Sequence, residues 1–398
     1  MNRRRALSLA SLAFSVCVPL AAAQAETIKI GAVAPKTGPL AGGAAVTQWP
    51  SIKLWVSDVN GRGGLTMKDG SKRKIELIEY DDRTNPGETI KAVERLATQD
   101  KADFIVAPYG TGLNLASAPV FAKYGYPQIA VSAITDKTKE LAKRYPSMFF
   151  TLGTTTAFAQ SVAGILKKMV ADGTIGNRVA MVNVADAFGI ELAEAARPIF
   201  KAAGLEIVYD KSYPLGTQDL ASVVKGAKAA KPDAFVAWSY PPDTFGLTEL
   251  AKIEGLNVKA FYTAVATCFP AYGGKFGQSA ENVLGAGGID VDSAEMKGYY
   301  ERHKQVTGVA GDYWAGPVTY ASLQVLAQAI EAVGSVDRKA VTAHIKQGSF
   351  KTVLGNWKFN NQVIDQFWTV GQWQNGKFVG VASTGKSGAK AVRVKTGW

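Results

Sequence analysis

Cysteine and histidine are scarce in this chain, with two of each among 398 residues. Cys17 lies in the first 25 residues and Cys268 stands alone after them, so no internal disulfide links the remainder and its stability rests on packing. Neither cysteine nor histidine recurs at a zinc-ligand spacing. The two histidines, His303 and His344, fall in charged helical stretches, are expected to be solvated, and leave little material for general acid-base chemistry. No serine sits in a nucleophile elbow. Beyond the first 25 residues no apolar run approaches the ~20 residues of a membrane span. Blocks of one charge sign are missing too. The net charge is +12, but Lys72-Arg73-Lys74, Lys143-Arg144 and Lys167-Lys168 are dispersed, without the aromatic-interleaved stripe of a nucleic-acid binder. A mild positive field favours an anionic ligand.

What is present begins with an export signal. Asn2-Arg3-Arg4-Arg5 precedes an uncharged, mostly apolar run that ends at Ala23-Gln24-Ala25, the pattern of a secretory signal peptide cleaved near Ala25. Val16 before Cys17 argues against lipid attachment there. The protein is therefore expected outside the cytoplasm, in the periplasm, with residues 1–25 removed.

From Ile28 onward, short apolar runs alternate with helical patterns. Strands are expected at Ile28 to Val33, Ile75 to Tyr80, Phe104 to Ala107, Gln128 to Val131, Val179 to Val184, Glu206 to Tyr209, Phe235 to Trp238 and Ala260 to Tyr262. This βαβ rhythm predicts an α/β fold with parallel sheets, right-handed crossovers and helices on both faces. Asn85-Pro86-Gly87-Glu88 marks the clearest helix start: an N-cap, a proline in the first turn and an acid to close a capping box. So many units exceed one core, so two doubly wound lobes are expected, with a first crossing near Pro146-Ser147. The tail from Asn356 reads as edge strands, at Trp357-Lys358-Phe359 and Phe367 to Trp373, with Asn375-Gly376 as a hairpin turn.

In open α/β sheets, ligands meet the loops that leave the C-terminal ends of strands, where helix N-termini present free N–H groups. Three such loops, Lys36 to Gly43, Tyr109-Gly110-Thr111-Gly112 and Ser132-Ala133-Ile134-Thr135, are rich in glycine and hydroxyls. Three others, Ala185-Asp186-Ala187-Phe188-Gly189, Ser239-Tyr240-Pro241-Pro242-Asp243 and Ala264 to Tyr272, carry aromatics. A cleft between the two sets suits a small ligand with an anionic end and an apolar body. Gly380 to Ser387 matches a phosphate-loop pattern, but only Gly388 to Trp398 follow, too little for the helix and acidic strand that such a loop needs. Asp81-Asp82 follows a strand and reads as a turn or the lead-in to a helix.

The Ile28-Lys29-Ile30-Gly31-Ala32-Val33-Ala34-Pro35-Lys36-Thr37-Gly38-Pro39-Leu40-Ala41-Gly42 opening, Glu79-Tyr80-Asp81-Asp82 before the Asn85-Pro86 helix, and Tyr240-Pro241 after a strand resemble the type I periplasmic solute-binding proteins of ABC importers, branched-chain amino acid (Leu/Ile/Val-binding) class. The resemblance covers nearly the whole chain after residue 25. It implies a fold of two α/β lobes joined by a three-segment hinge that closes on ligand. The lobes would be 26–147 plus 277–352, and 148–276 plus 353–398. It also implies a non-enzymatic, cofactor-free, metal-free monomer that delivers a small molecule to an ABC permease at the inner membrane. By the same resemblance Tyr109, Gly110, Thr111, Ser132, Ala133 and Thr135 would hold the ligand carboxylate, and Phe188, Tyr240 and Val265 would line its body. Where the amino acid binders place an acid for the ligand ammonium, this chain reads Thr263-Ala264-Val265-Ala266-Thr267. An ammonium stranded there would cost several kcal/mol, which favours an apolar or aromatic carboxylate over an amino acid, with Asp243 as a substitute partner for the amino acid alternative. A sensory binding protein on the same fold is the other alternative.

Overall fold

The computed structural model describes residues 26–289 and 291–398; the signal-peptide assignment to residues 1–25 lies outside the described residues. Two parallel-sheet lobes make up the molecule. The first holds a three-stranded sheet in the order Ile75–Tyr80, Ile28–Val33, Phe104–Val106 and a parallel pair, Gln128–Ala130 with Met148–Phe150. The second holds a seven-stranded sheet in the order Lys377–Thr384, Phe367–Gln374, Leu284–Ala286, Ala260–Thr263, Ala234–Trp238, Arg178–Val184, Glu206–Tyr213. Ala234–Trp238 and Ala260–Thr263 are buried at every position, as expected for parallel strands covered on both faces.

Sheet membership moves all three expected lobe boundaries. Met148–Phe150 pairs with Gln128–Ala130, so the chain leaves the first lobe after residue 150 and not after 147. Leu284–Ala286 pairs with both Ala260–Thr263 and Phe367–Gln374, so the return crossing follows residue 286, ten residues later than the expected 276. The hairpin Phe350–Thr352 with Gly355–Trp357 stands apart from the large sheet, and Phe150 bridges to Val363, so residues 353 to about 365 belong with the first lobe. Short connections hid these shifts, because a strand of three residues carries too little periodicity to reveal its sheet.

The tail also departs from expectation. Phe367–Gln374 is buried along most of its length and lies inside the sheet, antiparallel to its neighbours on either side, so the second sheet is mixed. Asn375 and Gly376, both with positive φ, make the expected turn. Beside it, the chain crosses at Gly288, where an added Cβ would stand 2.5 Å from Gly380 Cα and 3.1 Å from Gly371 Cα. That approach of three backbones is open only to glycine.

The helix Pro86–Thr98 starts where the sequence places it, with the Asn85 side chain accepting from Glu88 N–H at 3.1 Å. The capping box stays half-closed. Glu88 pairs with Lys91, and the Asn85 N–H donates to the Asp82 carbonyl. Asp81 ties the Lys36-Thr37 loop through three hydrogen bonds, from Lys36 N–H, Thr37 N–H and the Thr37 hydroxyl, and accepts a fourth from Arg83 N–H in its own turn, which gives it a structural role. His303 is fully buried, contrary to its charged surroundings in sequence, and its Nδ1 lies 3.0 Å from the Val309 carbonyl. The helix Ala294–Thr307 buries Met296, Tyr299 and His303 along one stripe, and His303 falls on that stripe while its charged neighbours face outward.

Candidate functional site

The six loops singled out in sequence converge between the lobes, and the lobes touch there. Thr135 Oγ1 donates to Glu191 Oε2 across 2.6 Å, and Lys137 Nζ reaches the other oxygen of the same carboxylate at 3.0 Å. Thr135 and Lys137 belong to the first lobe, Glu191 to the helix Ala187–Ala202 of the second. A Cβ on Gly112 would touch Ala187 Cβ, and one on Gly216 would touch Pro39. Tyr109, Ser132, Ala133, Thr135, Phe188, Tyr240 and Val265 are all buried. The cleft is closed.

On the first wall, the helix Thr111–Lys123 begins at Gly110, whose φ of +91° suits glycine and strains other residues. No side chain caps its first turn. The N–H groups there therefore stand available to an anion, aided by the helix dipole. The hydroxyls nearby are occupied. Ser132 Oγ accepts from Gly110 N–H at 2.9 Å and donates to the Pro108 carbonyl, while Thr111 Oγ1 accepts from Ile134 N–H and donates to the Ile134 carbonyl. Both side chains thus staple the two loops together. Tyr109 turns toward the glycine at position 43, where an added Cβ would lie 2.1 Å from its hydroxyl, and burial raises the pKa of that hydroxyl well beyond the usual tyrosine range.

On the facing wall, the Phe188 and Tyr240 rings lie 4.8 Å apart, tilted by 32°. The Tyr240 hydroxyl donates to Asp186 Oδ2 at 3.1 Å, and Asp186 Oδ1 caps the helix at Gly189 N–H. The same hydroxyl would stand 3.4 Å from a Cβ placed on Gly110, so the ring spans the cleft to the uncapped turn. Val265 N–H donates to the Ser239 carbonyl, Thr244 Oγ1 donates to the Val265 carbonyl, and the next residue, Ala266, is held at φ +78°. Such a conformation costs of order 1–3 kcal/mol for a residue with a Cβ and persists where surrounding bonds over-determine it.

Asp243 does not face the cleft as a spare charge. It is 2% exposed and accepts from Tyr240 N–H and the Tyr213 hydroxyl. Burial pushes Asp186 and Asp243 each up to about 6. Asp186, absent from the site residues expected from sequence, is the acid nearest the ligand wall. A signal for it exists: an aspartate three residues before a glycine, after a strand, is an N-cap pattern, and N-caps sit at the mouths of α/β clefts. Among the described residues no group of three or more His, Cys, Asp or Glu side chains could hold a metal ion, and no helix is long and apolar enough to cross a membrane.

Residues 27–377 match the family model described as periplasmic binding protein. The chain is 25% identical to Leu/Ile/Val-binding protein homolog 7 of Brucella suis, over 93% of this chain and 95% of that protein. Among solved structures, the LivJ branched-chain amino acid transporter substrate binding protein of Streptococcus pneumoniae, in complex with isoleucine, superposes with a TM-score of 0.77 at 20% identity, covering 90% of this chain and 99% of the other. A solute binding protein of an ABC transporter from Rhodopseudomonas palustris, in complex with 3,4-dihydroxybenzoic acid, gives 0.76 at 23% identity, covering 93% and 98%.

Proposed function

The chain belongs to the periplasmic binding protein family, whose members among its relatives are solute-binding proteins and not enzymes, and from that premise we propose that it captures a small carboxylate with an apolar or aromatic body. The ligand is held between the lobes and delivered in the periplasm to an ABC permease. One observation carries the reading: the uncapped first turn at Gly110–Leu113 faces the Phe188–Tyr240 ring pair across a closed cleft whose carboxylates already have partners. Backbone N–H groups of that turn receive the carboxylate, with Ser132, Ala133 and Thr111 fixing their geometry, and Phe188, Tyr240 and Val265 cover the body. Thr135 acts at the lobe contact. Relatives in complex with isoleucine and with a hydroxylated benzoic acid support both a carboxylate end and a variable body.

Binding of an amino acid is the second reading, and one feature favours it. Asp186 keeps part of its side chain accessible beside the rings, so its carboxylate is placed to meet an ammonium. Calorimetry of the protein without residues 1–25 against a panel of aromatic, aliphatic and amino acids tests the proposal, with mass analysis of the recovered ligand. Saturable one-to-one binding with the ligand unchanged is expected. Chemical conversion, or no binding across the panel, overturns it.

A further inference from the structure

A cavity of about 450 Å³ lies away from the cleft, at the crossings between the lobes. That is the size of a small-molecule site. Its walls include Leu152, Trp314, Val318, Trp357 and Trp368, with Lys386 among them. Glu295 and Lys351 also line it, and one polar group on the wall is short of partners. Lys386 is half-buried, donates only to the Leu354 carbonyl at 3.1 Å, and forms no ion pair among the described residues. Trp357 is 4% exposed and its indole N–H has no accessible surface, so the ring gives the cavity apolar surface only. A partly desolvated ammonium carries a cost that an acceptor anion would relieve.

From this cavity we infer a second ligand site, separate from the interlobe cleft, that takes a small aromatic carboxylate: its ring packs among the tryptophans and its carboxylate accepts from Lys386 Nζ. The aromatic body follows from the walls, since three indoles offer ring faces and edges. The negative end follows from the Lys386 ammonium, whose one hydrogen bond goes to a neutral carbonyl. Burial lowers the pKa of Lys386, and a bound anion would raise it again. Because Leu152, Phe367 and Trp368 come from two of the crossings, the site exists only where the lobes meet.

The probe is 2-naphthoate, read by tryptophan fluorescence and calorimetry. Gly110→Val is expected to weaken the interlobe cleft about a hundredfold, so binding that keeps its affinity in that background belongs to the hinge cavity. There the probe is expected to bind once and saturably. Lys386→Gln should weaken it about tenfold, on the scale of a charged hydrogen bond. Lys386→Arg should retain it, and Leu354→Trp, which fills the space, should abolish it. Binding in the Gly110→Val background that Lys386→Gln and Leu354→Trp both leave unchanged, or no saturable binding in that background, overturns the second site. If the cleft reading fails instead, the wild type shows one event only, and Leu354→Trp still abolishes it.

Discussion

The two walls of the cleft reach the same end by opposite uses of side chains. On the first lobe, Thr111 and Ser132 bond to loop backbone, and what faces the ligand is the uncapped N-terminal turn after Gly110. On the second lobe, Asp186 and Asp243 cap helices and hold Tyr240, and what faces the ligand is ring surface. Polar side chains in the cleft therefore act mostly as positioning groups. On the proposed reading, recognition falls to backbone and to aromatic faces, which accept an anionic end and an apolar body with little regard for further detail.

The strongest way to break the comparison is at the first wall. Gly110→Val forces a branched side chain into φ +91° and within 3.2 Å of Leu40 and 3.4 Å of the Tyr240 hydroxyl. Strain of order 1–3 kcal/mol plus the intrusion should weaken ligand by about a hundredfold. Titration checks this, with a thermal melt to confirm the fold; unchanged affinity would remove the turn from the site.

The lobe contact comes next. Glu191→Gln keeps the shape but discharges the acceptor of Thr135 and Lys137. Charged hydrogen bonds contribute ~1.5–3 kcal/mol, so affinity should fall about tenfold even though the change acts on lobe closure and leaves the ligand's own partners in place. Thr135→Ala should match it. If Thr135→Ala weakens binding while Glu191→Gln does not, Thr135 holds the ligand directly instead of the opposite lobe.

The ring wall gives a smaller effect. Phe188→Leu preserves bulk but removes the tilted ring pair, worth about 0.5–1.5 kcal/mol, so an aromatic ligand should weaken roughly threefold to tenfold and an aliphatic one less. An equal decrease for both would mean that the ring only fills space.

Much of this was legible in sequence. Strands buried on both faces are nearly continuous apolar runs, so Arg178–Val184 and Ala234–Trp238 fall within a residue of where the pattern puts them. The cleft loops followed from the α/β rule alone. What was hidden depends on partners distant in sequence. Nothing near Thr135 announces Glu191, 56 positions away; nothing near Asp243 shows that Tyr213 and the Tyr240 N–H already engage it; and Leu284–Ala286 is too short to declare its sheet.

The acids supply the mildest test. Burial raises Asp82, Asp186 and Asp243 to about 6 and Asp312 to about 7. Folded protein then binds protons that the unfolded chain releases, with ordinary carboxyl pKa values near 4, so stability increases as pH falls through 7 toward about 5. Melts at low salt should show a higher Tm at pH 5.5 than at pH 8. A Tm that falls steadily over that interval would mean these carboxyls are better solvated than their burial indicates.

The central claim is that the cleft recognises a carboxylate and an apolar body with no charge reserved for an ammonium. Matched pairs test it most directly: phenylpropionate against phenylalanine and 4-methylpentanoate against leucine, titrated by calorimetry into one preparation. The account predicts that the simple acid binds more tightly in both pairs. If both amino acids win, and Asp186→Asn removes their advantage, the acid beside Tyr240 is the ammonium site and the claim is wrong.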